Sequence, residues 1–69
     1  MDWTFNRAGQ WEGTDDGWQA IVFRRARQNT WDAAVYPAHL PANRQTQGGF
    51  VDVDATRAWC ADIMGQLRQ

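Results

Sequence analysis

The chain contains no lysine; its 7 basic residues are all arginine. It has one cysteine, Cys60, so no disulfide can close within it. One cysteine and one histidine, His39, cannot supply a four-ligand structural zinc site. No apolar run approaches the ~20 residues needed to span a bilayer, so no membrane segment is expected. Met1-Asp2-Trp3-Thr4 offers neither a basic n-region nor an apolar h-region, so a secretory leader is not expected either. Together with the lone thiol, this favours a reducing, cytoplasmic setting. No phosphate-binding glycine loop is present, since Gly48-Gly49 is an isolated pair. There is no internal repeat and no low-complexity segment.

Aromatic residues are plentiful. Five tryptophans, three phenylalanines and one tyrosine occur in 69 residues. Each buries a large apolar area, which lets a short chain fold without staples and argues against disorder. A chain of this length is one domain with a thin core, of the kind often supplemented by a partner.

Net charge is −1, but it is unevenly spread. Residues 1–16 set Asp2, Glu12, Asp15 and Asp16 against Arg7. Residues 17–49 set Arg24, Arg25, Arg27 and Arg44 against Asp32. A dedicated DNA binder carries a clear basic excess, because phosphate contacts supply much of its affinity. The overall balance weighs against that role, and the basic middle keeps it in view.

Period-two alternation predicts strands over about residues 2–7, 18–27 and 30–36. Gly13 to Gly17 is dense in turn formers. Gln28-Asn29 reads as a two-residue hairpin turn. That turn sets Arg27 opposite Thr30, Arg25 opposite Asp32 and Ile21 opposite Tyr36. One face then holds Trp18, Ala20, Val22, Ala26, Trp31, Ala33 and Val35, with Arg24 its lone charge. The other holds Ile21, Phe23, Arg25, Arg27, Asp32, Ala34 and Tyr36. The first, alanine-rich face is expected to meet the core, since small residues let a helix approach closely.

Residues 37–49 read as a long polar loop, with room for a short fourth strand near Phe50–Val51. A helix is predicted over about 53–67. Asp52 is placed to cap it and Asp54 to complement its dipole. Val53, Thr56, Cys60, Ile63 and Leu67, flanked by Trp59 and Met64, form one apolar face. The expected fold is α+β: a three-stranded antiparallel sheet packed against one C-terminal helix.

Catalytic and metal chemistry find little support. His39 lies in the long loop without a nucleophile or orienting acid at motif spacing. Cys60 falls on the apolar helix stripe, as a buried structural thiol does. Asp15-Asp16 and Asp52-x-Asp54 are too short for a calcium loop and fit turn and cap roles. No cofactor, metal or catalytic residue is expected.

The layout "GWQAIVFRR…TW…GGFVDVDATRAWCADIM" resembles small β-β-β-α proteins common in phages and mobile elements. It is also similar to AP2-type and integrase arm-type DNA-binding domains, with Gly17, Trp18 and Ala20 on the second strand and Trp31 on the third. Phe50, Asp52 and Trp59 correspond loosely, and the likeness spans about residues 17–64. The first resemblance implies an inhibitor or modulator of a host protein. The second implies DNA reading by the sheet, although the arginine-rich first strand of such domains is lacking: Arg7 is alone among the four acids of residues 1–16.

One helix covers one face of a sheet and leaves the other open. The open face should carry Ile21, Phe23, Arg25, Arg27 and Tyr36, the mixture of apolar groups and arginine enriched at interfaces. These five are the candidate partner-binding residues. The leading expectation is a non-enzymatic protein-interaction module docking through this face or the long loop. Sheet-based DNA binding and homodimer formation through the same face are the alternatives.

Overall fold

The computed structural model describes residues 1–68 and shows an α+β fold, with one antiparallel sheet and one C-terminal helix. The sheet has five strands rather than three. They are β1 (Asp2–Phe5), β2 (Trp11–Asp15), β3 (Trp18–Arg25), β4 (Thr30–Pro37) and β5 (Gln45–Phe50), followed by α1 (Val53–Leu67). Spatial order follows chain order, a simple meander.

Two segments expected to be irregular are strands. The first is β2, which lies in the stretch expected to hold a turn. Asp16 and Gly17 alone make that turn, with φ of 50° and 84°. Both central residues of a two-residue hairpin loop of this kind need positive φ, which Asp-Gly supplies. The expected single strand over 2–7 instead ends at Phe5, and a loop reverses the chain into β2. The Asn6 side-chain oxygen organises that loop by accepting from the backbone N–H groups of Ala8 (3.0 Å) and Gln10 (2.9 Å). Gly13 then sits mid-strand beneath the Trp3 ring. A Cβ there would lie 3.0 Å from that ring and 2.7 Å from the Met1 sulfur, so the close approach needs glycine.

The second is β5, whose residues 45–49 fall within the expected 37–49 loop. It pairs with β4 through Gln45↔Val35, Thr46↔Ala34 and Gln47↔Ala33. The register then shifts, and Phe50 pairs with Trp31. Gly48 and Gly49 stand opposite Asp32 in a bulge, with Gly49 at φ +83°.

The β3–β4 hairpin is closed by four residues, Ala26–Asn29, and not by the expected two. Its register pairs Arg25 with Thr30, Phe23 with Asp32 and Ile21 with Ala34. Gln28 N–H donates to the Arg25 carbonyl at 3.1 Å, and Asn29 takes positive φ. This is a slip of two residues from expectation. Side chains alternate with period two, so a two-residue slip keeps every strand residue on its expected face. Ala26 and Arg27 leave the sheet for the turn.

The helix accordingly packs where expected. Ala20, Val22, Ala33 and Val35 form the buried core with Cys60 and Met64 of α1. Trp3, Trp11, Trp18, Trp31, Val53, Trp59 and Ile63 pack around it. Asp52 caps the helix by accepting from the Ala55 N–H at 2.7 Å, as its position before the apolar stripe implied. Thr56 is buried and donates its hydroxyl to the Asp52 carbonyl at 2.8 Å. Leu67, expected on the apolar face, is exposed, and Met64 fills the last buried position.

The helix lies over β4 and β3 and reaches β5. Toward β1 and β2 it extends the Arg57 side chain. The Arg57 guanidinium stands 5.1 Å from the Trp3 ring and 4.8 Å from the Trp11 ring. This cation–π arrangement closes the β1–β2 side of the core. At the far end Arg68 donates to the carboxylates of Asp15 (2.9 Å) and Asp16 (3.2 Å), tying the helix end to the β2–β3 turn.

A candidate docking face

With α1 on one side, no element among the described residues covers the opposite side of the sheet. Its residues can be read row by row from the pairings. The lowest row runs Asp2, Thr14, Gln19, Tyr36 across β1 to β4. The next runs Thr4, Glu12, Ile21, Ala34, Thr46 across all five strands. Phe23 and Asp32 pair above these, then Arg25 and Thr30. Arg44, just before β5, lays its guanidinium 5.3 Å from the Tyr36 ring and so completes the lowest row.

A shallow groove of about 420 Å³ lies over the β3–β5 half of this face. Ile21, Phe23, Ala33 and Ala34 are its apolar lining, and Arg25, Asp32 and Arg44 are its charged lining. Gly48 borders it at the β5 side, where a Cβ would come within 2.6 Å of the Asp32 carboxylate. Ala34 is only 3% exposed although no helix covers it, because larger neighbours stand around it. Ile21, Phe23 and Tyr36 remain half-buried.

The charges on the face are partly spoken for. Arg25 Nε donates to the Asp32 carboxylate, and the Arg25 guanidinium lies 5.8 Å from the Phe23 ring. The pair was expected to be directly cross-strand and is instead diagonal, which the two-residue slip dictates. Tyr36 donates its hydroxyl to the Gln19 side-chain oxygen at 3.2 Å. Arg44 donates to the Pro41 carbonyl at 3.2 Å.

Four of the five candidate residues, Ile21, Phe23, Arg25 and Tyr36, therefore share the open face. Arg27 does not. It lies in the exposed β3–β4 turn, beside Ala26 and Gln28. The cause is the four-residue loop, which ends β3 at Arg25. Arg44 and Thr46 were not anticipated, because residues 37–49 carry no strand pattern. The Arg-x-Thr alternation leading into β5 was the available signal, and it is short.

Elsewhere the chemistry is quiet. Cys60 is buried, and desolvation pushes its thiol from 9.0 up to about 11, opposed by a backbone hydrogen bond. A thiol so protonated is a poor nucleophile at neutral pH. Among the described residues no three His, Cys, Asp or Glu side chains cluster so as to hold a metal ion. No helix among them is long and apolar enough to cross a membrane. His39 and Leu40 lie exposed in the connection between β4 and β5. No protein-family model, no curated protein and no solved structure matches the chain.

Proposed function

We propose that this protein is a non-enzymatic interaction module that docks its open sheet face on another protein. The observation that carries the reading is the groove over Ile21, Phe23 and Ala34, bordered by Arg25 and Arg44 and left uncovered by the single helix. Aromatic groups and arginine around a desolvated centre are the usual anchors of protein interfaces. The resemblance to small phage and mobile-element proteins points the same way, toward an inhibitor or modulator of a host protein.

Phosphate recognition fits this face less well. Asp2, Glu12 and Asp32 share it, and Arg25 is already paired with Asp32. Arg27 has left the sheet for the turn. A nucleic-acid complex through this face would set three carboxylates, Asp2, Glu12 and Asp32, against two guanidiniums, Arg25 and Arg44.

The test is capture from lysate with nuclease added, comparing the wild type with a folded Phe23→Asp, Arg25→Glu double variant. The proposal expects a discrete, nuclease-resistant protein that binds the wild type alone and tolerates salt. Capture of nucleic acid only, lost with nuclease or steeply with salt, would replace it with the nucleic-acid reading. Equal capture by both chains would place the contact elsewhere.

A further inference from the structure

The open face is charged in a pattern that complements itself. Its β1–β2 side carries Asp2 and Glu12, and its β4–β5 side carries Arg44. Ile21 and Phe23 lie between them on β3, the central strand. The lowest row has Asp2 at one end and Arg44 at the other.

Consider a twofold axis lying between two such faces and parallel to β3. The rotation keeps each row at its own height and exchanges the two sides of the sheet. It sets β1 of one copy over β5 of the other and β3 over β3. Asp2 then stands over Arg44 of the second copy, and Arg44 over its Asp2. Ile21 and Phe23 meet their own counterparts at the centre. Thr14 meets Tyr36, and Glu12 meets Ala34, one row above the Tyr36–Arg44 pair. Arg25 lies near the axis, where two like charges would repel, but each is neutralised by its own Asp32. Such a contact is isologous, so each ion pair occurs twice.

We infer that a second copy of this chain is what occupies the open face in the free protein. The two sheets stack as a symmetric dimer, with Ile21 and Phe23 on the axis and Asp2–Arg44 pairs at both margins. This rests on the open face being the docking surface and names its occupant when no other protein is bound. The core supports it. Its largest fully buried side chain is Met64, and most of the rest are alanine and valine. Small chains with thin cores commonly gain stability by associating. A standard interface removes about 800 Å² from each partner, about one-sixth of this chain's 4663 Å².

Sedimentation equilibrium on the full chain from about 10 µM to about 1 mM, with dissociation constants read across that range, tests the inference. A reversible monomer–dimer equilibrium that weakens with salt is expected. Arg44→Asp turns two attractions into two repulsions and raises the dissociation constant about tenfold. Asp2→Arg combined with Arg44→Asp restores it to within about threefold, because the pair is exchanged rather than removed. Circular dichroism confirms that each variant is folded. A chain that stays monomeric to the top of the range overturns the inference. So does a dimer indifferent to Arg44→Asp, or one that the exchanged pair fails to restore. A monomeric chain that still captures a protein through Phe23 would refute the dimer and leave the docking function standing. A dimer that captures nothing would do the reverse.

Discussion

Val22 and Phe23 are neighbours on β3 and belong to different halves of the molecule. Val22 is fully buried beneath α1. Phe23 is half-buried on the uncovered side, against the Arg25 guanidinium. The contrast holds along both central strands. The helix side presents Ala20, Val22, Ala33 and Val35, small groups that let the α1 backbone come close. The open side presents Ile21, Phe23 and Tyr36, larger groups with charge around them. A face that had only to be solvated could be threonine and glutamine throughout, as residues 45–47 of β5 are. The division of one sheet into a small, dry face and a large, charged one fits a fold with a single helix and the docking contact proposed above.

This contrast can be broken on purpose. The largest effect is expected from Met64→Ala, which empties the centre of the helix-side core. It should cost about 3 kcal/mol in urea unfolding, by analogy with other buried long side chains. The next effect is one of pH. Cys60 has a folded thiol pKa raised from 9.0 to about 11, so the stability it contributes is fully present below pH 9. That stability is lost as pH rises through 9 toward 11, because the unfolded chain releases the proton first. Unfolding midpoints measured between pH 8 and pH 11 should fall over that window, and Cys60→Ala should flatten the fall. Asp52→Ala removes the acceptor for the Ala55 N–H and should cost about 1 kcal/mol without changing the sheet. The smallest effect is expected on the open face. Ile21→Thr should change monomer stability by less than about 0.5 kcal/mol, while loosening whatever binds there.

How much of this was legible beforehand varies with what each segment buries. The helix was readable because its cap, its dipole charge and its apolar period all agree, from Asp52 through Met64. The two faces of β3 and β4 were readable for a subtler reason. The loop was expected two residues too short, and an error of two preserves the alternation that assigns faces. An error of one would have exchanged them. The strands β2 and β5 were not readable, and for physical reasons. β2 carries a glycine at its centre that serves the Trp3 ring, a tertiary contact invisible in local pattern. β5, "QTQGGF", is an exposed edge strand broken by a bulge, so nothing forces its residues to alternate. Arg44 went unnoticed with it, and Arg27 was placed on the face because the turn was drawn too tight.

The most direct test of the account sets the two neighbours against each other. Val22→Asp and Phe23→Asp place the same charge on adjacent residues of one strand, one toward the helix and one toward the open side. Unfolding midpoint and nuclease-resistant partner capture are then measured for both. The account predicts that Val22→Asp abolishes the folded state, because an unpaired carboxylate cannot be buried at that site. It predicts that Phe23→Asp, which also sets a carboxylate opposite Asp32, lowers the midpoint only modestly, keeps the chain folded and loses capture. A Phe23→Asp chain that unfolds, or one that stays folded and captures its partner undiminished, would contradict the assignment of the open face as the docking surface.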